Sequence, residues 1–255
     1  MIKYLAGLVA LVGWLGAAAG IHAEVLFVAD EFPAMETLAA QLRQSEHLNS
    51  RVVRQDQMPA PLGQFSAVVV YIHKALTVSA EQAFMDYALG GGKLVLLHHS
   101  ISSGKRTNDQ WFAFLGVDLA LGDVSRGGYK WIEPATLDLV NLNPGHFIMT
   151  NGVNYPLQLP FAPSGATKAG DQLPGFTLPD SEVYLNHVHT GPHTLLMGLR
   201  YHDPKSGVDY HQPTAGWVKS AGRGTVVYLM PGHRREDFEN PAYSRIVRNA
   251  ILFQP

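Results

Sequence analysis

The sequence predicts a mixed α/β fold in which helices cover both faces of a mostly parallel sheet. Short apolar runs rich in β-branched residues alternate with segments of helical periodicity, and glycine or proline marks most of the borders. Strands that alternate with helices indicate βαβ units, whose parallel strands are buried on both sides. A chain of 255 residues, 46% of them hydrophobic, can supply the core that such a sheet needs.

The first half of the chain contains four predicted strands and two predicted helices. The strands are the apolar runs at residues 24–30, 50–54, 66–73 and 94–97. Apolar residues at helical spacing predict a helix over residues 33–47. Ser79 and Gln82 have the spacing of a capping box, which predicts the start of a second helix. The glycines at 90–92 are suited to end that helix.

The second half of the chain is more irregular until its last thirty residues. Residues 122–212 are rich in proline, glycine and aromatic residues, with short strand-like runs only at 136–140 and 194–200. We therefore expect this region to form loop-rich insertions on the same domain. A buried strand is predicted at residues 225–230, and Asn240 followed by Pro241 predicts the N-terminus of a final helix.

The N-terminus resembles an export signal. A lysine at position 3 precedes an apolar stretch, and small residues lead to a plausible cleavage point after Ala23. We expect residues 1–23 to be a signal peptide and residues 24–255 to be the mature domain, periplasmic or secreted. An uncleaved N-terminal anchor is the alternative, because the apolar stretch is close to spanning length. Apart from this segment, no contact with a membrane is expected.

The composition excludes several kinds of chemistry. The chain has no cysteine, which removes thiol nucleophiles and thiolate metal ligands. A formal net charge of -2 argues against nucleic-acid binding, which needs a basic surface. Residues 97–104 lack the Gly-x-Ser-x-Gly elbow of a hydrolase, and the glycines at 90–92 lack the Gly-Lys-Ser/Thr pattern of a phosphate loop.

Titratable residues follow several of the predicted strands. His73 ends one strand, His98 and His99 end the next, and His233 follows the last, while Glu31 comes directly after the first. In an open α/β sheet, ligands bind beyond the carboxyl ends of the strands. We therefore expect these side chains to converge on one edge of the sheet, where imidazoles suit acid–base chemistry or metal binding.

A structural role is the alternative for each of these histidines, since a histidine at a strand end can simply bond a loop carbonyl. For His73 the structural interpretation is favoured, because Lys74 follows and indicates solvent. The doublet of His98 and His99 predicts side chains on different sides of the strand. One of the two could therefore be packed while the other faces the cleft, and we favour a functional role for at least one.

A second histidine cluster lies further along the chain. His187 and His189 would share one face of an extended segment, a spacing that suits a metal, although such runs are common on surfaces. Upstream, Asp180 and Glu182 offer two carboxylates, which would be unremarkable in a loop.

Three motifs resemble the ThuA-like (trehalose utilisation) family, whose fold is that of the class I glutamine amidotransferases. They are GGKLVLLHHS at 91–100, SEVYLN at 181–186 and GRGTVVYLMPGHRREDFENPAYSRIVRNAILF at 222–253. In the second motif Ser181 replaces the usual Asp, and GHFIMTNGV at 145–153 is a weaker match. The resemblance implies a flavodoxin-like sheet. Without cysteine, hydrolysis of glutamine by a cysteine triad is ruled out.

The resemblance also implies a set of site residues and a ligand. The expected catalytic residues are His98, His99, Glu182, Tyr184 and His233. His146 is a further candidate. Of the main set, His98, Glu182 and His233 are the expected ligands of a divalent metal, zinc or manganese. The family's link to trehalose-type and oxidised disaccharides implies a small sugar as the partner; the sequence leaves the oligomeric state open.

Three hypotheses about function follow. The first is an exported sugar-processing enzyme that uses this His/carboxylate set for acid–base or metal-assisted chemistry. The second is a non-catalytic sugar-binding or interaction domain on the same fold. The third is a glycosidase, which requires two carboxylates in the cleft, whereas only Glu182 stands out in the sequence. Stacking of a sugar ring on Trp111, Trp131 or Tyr129 is an alternative to core packing for these aromatic residues.

Overall fold

Ten strands of the described chain form one sheet. The structure is a computed structural model that describes residues 24–162 and 170–254. The ten strands are β1 (Val25–Ala29), β2 (Ser50–Val53), β3 (Ala67–Tyr71), β4 (Lys93–Leu97), β6 (Lys130–Asn141), β7 (Leu157–Phe161), β8 (Asp171–Leu185), β10 (Thr194–His202), β11 (Asp209–Ala221) and β12 (Gly224–Leu229). A separate short ladder pairs β5 (Val117–Asp118) with β9 (Val188–His189). The predicted signal peptide, residues 1–23, lies outside the described residues.

One half of the sheet is parallel and forms the core. Its strand order is β2-β1-β3-β4-β12, and each neighbouring pair is parallel. Every residue of β1, β3, β4 and β12 is buried. Continuous apolar runs such as Val68–Val70 form these strands because both of their faces are covered.

The described helices lie on both sides of the parallel strands. They are α1 (Phe32–Glu46), α2 (Val78–Leu89), α3 (Asp109–Leu115), α4 (Phe147–Thr150), α5 (Arg235–Glu239) and α6 (Pro241–Leu252). The crossover from β1 to β2 runs in the opposite direction along the sheet from that between β3 and β4. Because both crossovers are expected to be right-handed, α1 and α2 lie on opposite faces. Accordingly, α1 packs on α5 and α6, whereas α2 packs on α3.

The mixed α/β architecture is confirmed, but the expectation of a mostly parallel sheet is wrong. Beyond β12 the order continues β11-β10-β6-β8-β7, and all of these pairings are antiparallel. The expectation of loop-rich insertions at 122–212 is also wrong, since this region forms much of the antiparallel half. The prolines of this region favoured loops over strands in the sequence analysis. Pro134, however, lies within β6 where the register with β8 shifts, and a strand can accommodate a residue without an N–H at such an irregularity.

The helix ends agree with the sequence in one case and differ in another. Asn240 caps α6 as expected, with its Oδ1 accepting from the backbone N–H groups of Ala242 and Tyr243 at 3.0 and 3.1 Å. The second helix is capped by Thr77, whose Oγ1 accepts from the N–H of Ala80 at 3.2 Å, and not by Ser79. Within residues 24–162 and 170–254, no helix has both the length and the apolar character needed to cross a membrane.

Candidate active site

The carboxyl edge of the parallel strands carries the predicted residues. Because β4 and β12 are parallel neighbours, the histidines that follow them lie at the same edge. The C-terminal end of β8 brings two side chains of the antiparallel half to the same place. The structure thereby brings together all five expected residues, namely His98, His99, Glu182, Tyr184 and His233.

A tight turn at the end of β4 brings the two adjacent imidazoles into contact. His98 has φ 41°, a left-handed conformation that is unfavourable for a side chain with a Cβ. Its fully buried ring is held by Met230 and Glu182, whose oxygens lie 2.6 Å from Nδ1 and 2.8 Å from Nε2. His99 instead stacks on His73, with ring centroids 4.3 Å apart. The predicted divergence of the doublet is wrong, because the chain turns at His98 and the two rings lie in contact, with centroids 4.4 Å apart. Both rings are buried, but only His99 lines the cavity described below.

Glu182 lies between two imidazoles. Its Oε2 is 2.8 Å from His98 Nε2 and 3.3 Å from His233 Nδ1, and these two nitrogens are 3.2 Å apart. Burial acts to raise the pKa of the Glu182 carboxyl, but hydrogen bonds from His233 and His98 outweigh it and lower that pKa to about 2. Glu182 is therefore a carboxylate at neutral pH, and it can only accept hydrogen bonds.

His233 is the most accessible imidazole of this group, with 18% of its side chain exposed. Its Nε2 lies 2.9 Å from Glu133 Oε1, so two carboxylates flank the ring. Burial acts to lower the pKa of His233, but Glu182 and then Glu133 raise it above the ordinary value of a histidine. Its backbone N–H donates to Asp237, which also accepts from Ser181 Oγ at 2.7 Å. This buried carboxylate links the His233 loop to β8.

The hydroxyl of Tyr184 connects His99 to the carboxylate. The Tyr184 hydroxyl has one proton, and it donates this proton in a hydrogen bond to the Glu182 carboxylate. The Tyr184 oxygen must therefore accept the hydrogen bond from His99 Nδ1, which lies 2.9 Å away. Burial, followed by the nearby histidines, lowers the pKa of His99 and keeps its ring neutral. Its single proton is on Nδ1, and Nε2 is buried with no hydrogen-bond partner among the described residues.

These residues form one wall of a cavity of about 270 Å³. His99, Glu182, Tyr184 and His233 line it, together with Glu133 and His73, Ser102, Ser103, Gly104, Tyr129 and Trp131. Of the three aromatic residues considered for sugar stacking, Tyr129 and the half-exposed Trp131 lie here. Trp111 does not fit that role, because it is fully buried and its Nε1 donates to the Ser100 carbonyl.

Three donor atoms beside the cavity could hold a metal ion if the 2.8 Å contact between His98 and Glu182 lengthened by about 0.5 Å. His98 Nε2, Glu182 Oε2 and His233 Nδ1 form a triangle with sides of 2.8, 3.2 and 3.3 Å. Ligand atoms around a tetrahedral ion, each about 2.0–2.2 Å from it, are about 3.3–3.6 Å apart. In addition, His98 Nδ1 donates to the Met230 carbonyl, the second bond that metal-binding histidines usually make.

Other sequence candidates lie elsewhere. His146 caps α4, where its Nδ1 accepts from the Ile148 N–H at 3.2 Å, and its ring packs on Phe253. His187 and His189 are surrounded by aromatic rings, and their own ring centroids are 5.5 Å apart. Among the described residues, neither belongs to a set of three or more close donor groups that could hold a metal ion. These three residues are therefore not part of the cavity site.

A larger cavity, of about 840 Å³, lies at the opposite end of the parallel strands. It is lined by Lys93 and Gly224 at the amino ends of β4 and β12, and by the loop that precedes β3. The cluster of imidazoles does not contribute to it. We therefore place the candidate site in the smaller cavity, where the chemically competent groups converge.

The sequence did not identify Glu133 as a site residue. It lies within β6, in the region expected to be loops, and is 100 residues from its partner His233. A carboxylate beside a proline has no local feature that marks it for a site. Only the pairing of β6 with β8 brings Glu133 to the same place as Glu182.

The comparisons with known proteins agree with the architecture. Among solved structures, a ThuA-like protein from Bacteroides uniformis is 18% identical, with a TM-score of 0.59, over 90% of this chain and 89% of that chain. A ThuA-like protein from Parabacteroides merdae is 12% identical, with a TM-score of 0.61, over 89% and 88%. A cytoplasmic protein from Salmonella typhimurium LT2 is 14% identical, with a TM-score of 0.57, over 90% and 98%. At these identities the likeness concerns the fold alone.

No protein with a curated description matches the chain in sequence. The family model for ThuA, described as trehalose utilisation, matches residues 21–254, which include all three motifs and the whole described cavity. The chain therefore belongs to the ThuA (trehalose utilisation) family.

Proposed function

We propose that this protein binds a small carbohydrate and transforms it by acid–base chemistry centred on His233. The observation that carries the proposal is the Glu182 carboxylate between two imidazoles, at the wall of a cavity that is also lined by Tyr129, Trp131 and Tyr184. Membership of the ThuA family supports a carbohydrate-related role. A cavity of about 270 Å³ is slightly smaller than the usual ligand site of about 300–1,000 Å³, which suits a single sugar ring.

His233 is the proton-transfer group in this proposal. A general acid or base is most effective when its pKa is near the working pH, and the raised pKa of His233 meets this requirement. Glu182, with a pKa of about 2, is too weak a base to take the proton itself. Its negative charge instead raises the pKa of His233 and stabilises the imidazolium. His98 is buried behind Glu182 and acts as a positioning residue. The reaction would be proton transfer next to a carbonyl or bond cleavage in a keto-sugar.

The rest of the cavity would hold the sugar. His99 and Tyr184 offer polar atoms on one wall, and Trp131 presents a half-exposed ring for stacking against a sugar face. The ligand would be a trehalose-type or oxidised disaccharide, with one ring in the cavity and the other outside it.

The alternative to acid–base chemistry at His233 is a divalent metal, zinc or manganese, held by the same residues. His98, Glu182 and His233 would hold it, since their donor atoms lie close together. When bound, such an ion polarises a carbonyl oxygen or lowers the pKa of a bound water. Without a metal, the same three residues form the hydrogen-bonded set described above.

Two further assignments belong to this proposal. We assign the parallel half to the flavodoxin-like class, because its order β2-β1-β3-β4-β12 follows the 2-1-3-4-5 order of that class. We also propose that the protein is exported and that residues 1–23 are removed, on the sequence features of the N-terminus.

A glycosidase is the second candidate, and one observation favours it. The cavity contains two carboxylates, Glu133 and Glu182, as a glycosidase requires. However, both flank the same imidazole of His233, an arrangement that serves a histidine acid–base group more directly. A non-catalytic sugar-binding domain is the remaining alternative.

The proposal is tested first by ligand-induced stabilisation. The purified protein is screened by thermal shift against trehalose, other disaccharides and their keto forms, with and without Zn²⁺ or Mn²⁺. We expect at least one sugar to raise the Tm, since a ligand at 100 times its Kd stabilises by about 2.7 kcal/mol. His233→Ala and Glu182→Gln should weaken this shift, whereas the exposed Glu236→Gln should not. If no sugar stabilises the protein, the carbohydrate assignment is wrong.

The second part separates an enzyme from a binding protein. The stabilising sugar is incubated with the protein, and products are followed by NMR. We expect turnover, with His233→Ala slower by about 100-fold or more because general acid–base catalysis contributes that much. A sugar that binds and is recovered unchanged supports the non-catalytic alternative. Turnover that survives His233→Ala but not Glu133→Gln would favour the glycosidase.

A further inference from the structure

A second group of potential metal ligands lies on the other side of His99. Glu31 follows β1, His73 follows β3 and His99 follows β4, and these three strands are neighbours in the sheet. One donor atom from each residue lies within 4.8 Å of the others. The strand order reverses between β1 and β3, and at such a reversal the loops separate to leave a crevice that binds ligands.

The two oxygens of Glu31 face the two imidazoles. Oε1 is 3.4 Å from His73 Nδ1, and Oε2 is 4.0 Å from His99 Nε2. About half of the Glu31 side chain and 61% of the His73 side chain are exposed, so both can adjust by small rotations. An ion can reach the group from solvent on this side.

His99 Nε2 is the observation that points to a ligand. The side chain is only 2% exposed, and this nitrogen has no hydrogen-bond partner among residues 24–162 and 170–254. Because Nδ1 donates to the Tyr184 oxygen, Nε2 carries a lone pair, and Glu31 Oε2 lies 4.0 Å from it. The His73 ring stacks on the His99 ring, so rotation of the exposed His73 side chain would bring its nitrogen to the same ion. Buried polar atoms of native proteins are rarely left unpaired, and an imidazole nitrogen whose partner nitrogen is hydrogen-bonded is typical of a metal ligand.

The backbone around these ligands is fixed. Asp30 accepts the backbone N–H groups of His73 and Lys74 at 2.8 and 2.9 Å. The buried ammonium of Lys105 donates to the carbonyls of His73 and His99 at 3.0 and 2.8 Å. The histidine side chains therefore start from positions that vary little, which reduces the entropy lost when an ion binds.

We propose that Glu31, His73 and His99 Nε2 bind a divalent first-row metal ion, such as Zn²⁺, at the switch point of the sheet. Two imidazoles and a carboxylate are a common ligand set for this class of ion and leave a coordination position open. His73 and His99 also line the cavity, so the open position would face the space proposed for the sugar. This site is distinct from the His98, Glu182 and His233 triangle and does not depend on the proposed function.

The test measures metal binding directly. The full protein is stripped with a chelator and titrated with Zn²⁺ by calorimetry, and Co²⁺ absorption spectra report the ligand set. We expect Glu31→Gln and His73→Gln each to lower the Zn²⁺ affinity of one site by at least about tenfold. Loss of a residue that only hydrogen-bonds a metal ligand already lowers metal affinity by about this factor, and a direct ligand should contribute no less. Both positions are exposed, so the variants should fold. Glu182→Gln should leave this site intact.

His202→Gln is the matched control. Its imidazole is also about half exposed and lies 3.1 Å from a carboxylate, Asp209, but it is not part of the cluster. In ¹⁵N-histidine NMR of the wild type, Zn²⁺ should shift the Nε2 resonance of His99. If the wild type binds no Zn²⁺, or if Glu31→Gln and His73→Gln bind it as tightly as His202→Gln, the site does not exist. Loss of all binding in Glu182→Gln alone would place the ion in the triangle and also overturn the proposal.

Discussion

At the scale of single residues, the Glu182 carboxylate organises the protons of its neighbours. His98 Nδ1 faces a carbonyl, which only accepts, so this nitrogen carries a proton. His98 Nε2 lies 2.8 Å from Glu182 Oε2. His233 approaches the same oxygen from the cavity side at 3.3 Å. The buried imidazole thus holds the carboxylate, and in the proposed mechanism the accessible one would exchange protons with a ligand.

The effect of Glu133 on His233 gives a prediction at this scale. Removing its charge in Glu133→Gln should lower the pKa of His233, because Glu133 is one of the two carboxylates that raise it. A histidine whose pKa is higher in the folded than in the unfolded state stabilises the fold when it is protonated. This stabilisation is fully present below the unfolded pKa of about 6.5 and is lost as the pH rises through the folded pKa. Destabilisation by Glu133→Gln should therefore be present at pH 6 and fade at higher pH.

The measurements are an NMR titration of His233 and urea unfolding at several pH values. Glu236→Gln is a suitable control, since this exposed glutamate pairs with Arg234 and not with His233. An unchanged pKa of His233 in Glu133→Gln would show that the 2.9 Å contact does not persist in solution.

At the scale of elements, local turn and cap residues set where each strand and helix ends. The turn after β4 places both His98 and His99 at the candidate site, and Thr77 starts α2 immediately after the His73 loop. Thr77 and Ser79 are both exposed hydroxyl residues, and their hydroxyls are 3.2 Å apart. Only Thr77 Oγ1 accepts a bond from the N–H of Ala80, so only it satisfies a free donor of the helix terminus.

Replacement of each hydroxyl tests this assignment. Thr77→Ala should lower the free energy of unfolding by about 1 kcal/mol, the usual cost of a lost N-cap. Ser79→Ala, made at an equally exposed site in the first turn, should change it by less than about 0.5 kcal/mol, as for ordinary surface substitutions. Chemical denaturation of the two variants measures the difference. A larger effect of Ser79→Ala than of Thr77→Ala would support the capping box predicted from the sequence and contradict the assignment of Thr77.

At the scale of the whole molecule, the candidate site depends on both halves of the sheet. His98 and His233 follow parallel strands, whereas Glu182 and Glu133 belong to the antiparallel strands β8 and β6. The halves meet where β12 pairs with β11, so the distance between Glu182 and His233 depends on the whole strand order. Disruption of the antiparallel half should therefore affect the site even where the parallel core persists.

Hydrogen exchange should distinguish the centre of the sheet from its edges. The interior strands β3, β4 and β12 are buried along their whole length, whereas the edge strands β2 and β7 are largely exposed or half-buried. Amide groups in the interior strands should exchange only when the whole protein unfolds. Those of the edge strands should exchange through local openings, whose free energy is several kcal/mol lower than that of global unfolding. Mass spectrometry after deuterium labelling measures this order. Equal protection of β4 and β7 would contradict it.

The elements whose signals are local could be predicted from the amino-acid sequence. The continuous apolar run of β3, the Asn240 cap of α6 and the histidines after β3, β4 and β12 were all predicted because each depends on adjacent residues. The ThuA motifs additionally indicated Glu182 and Tyr184, although they lie more than eighty residues from His98 and His99.

Which groups meet, and which of them are buried, depends on how distant segments pack together. The antiparallel half escaped prediction because its long strands are partly exposed and contain prolines, so they lack a continuous apolar signal. Glu133 reached His233 only through the pairing of β6 with β8. Both His98 and His99 became buried at a turn with positive φ, and only His99 lines the cavity. Periodicity reports the environment of a strand or helix, whereas contacts between distant segments depend on register and packing across the entire sheet.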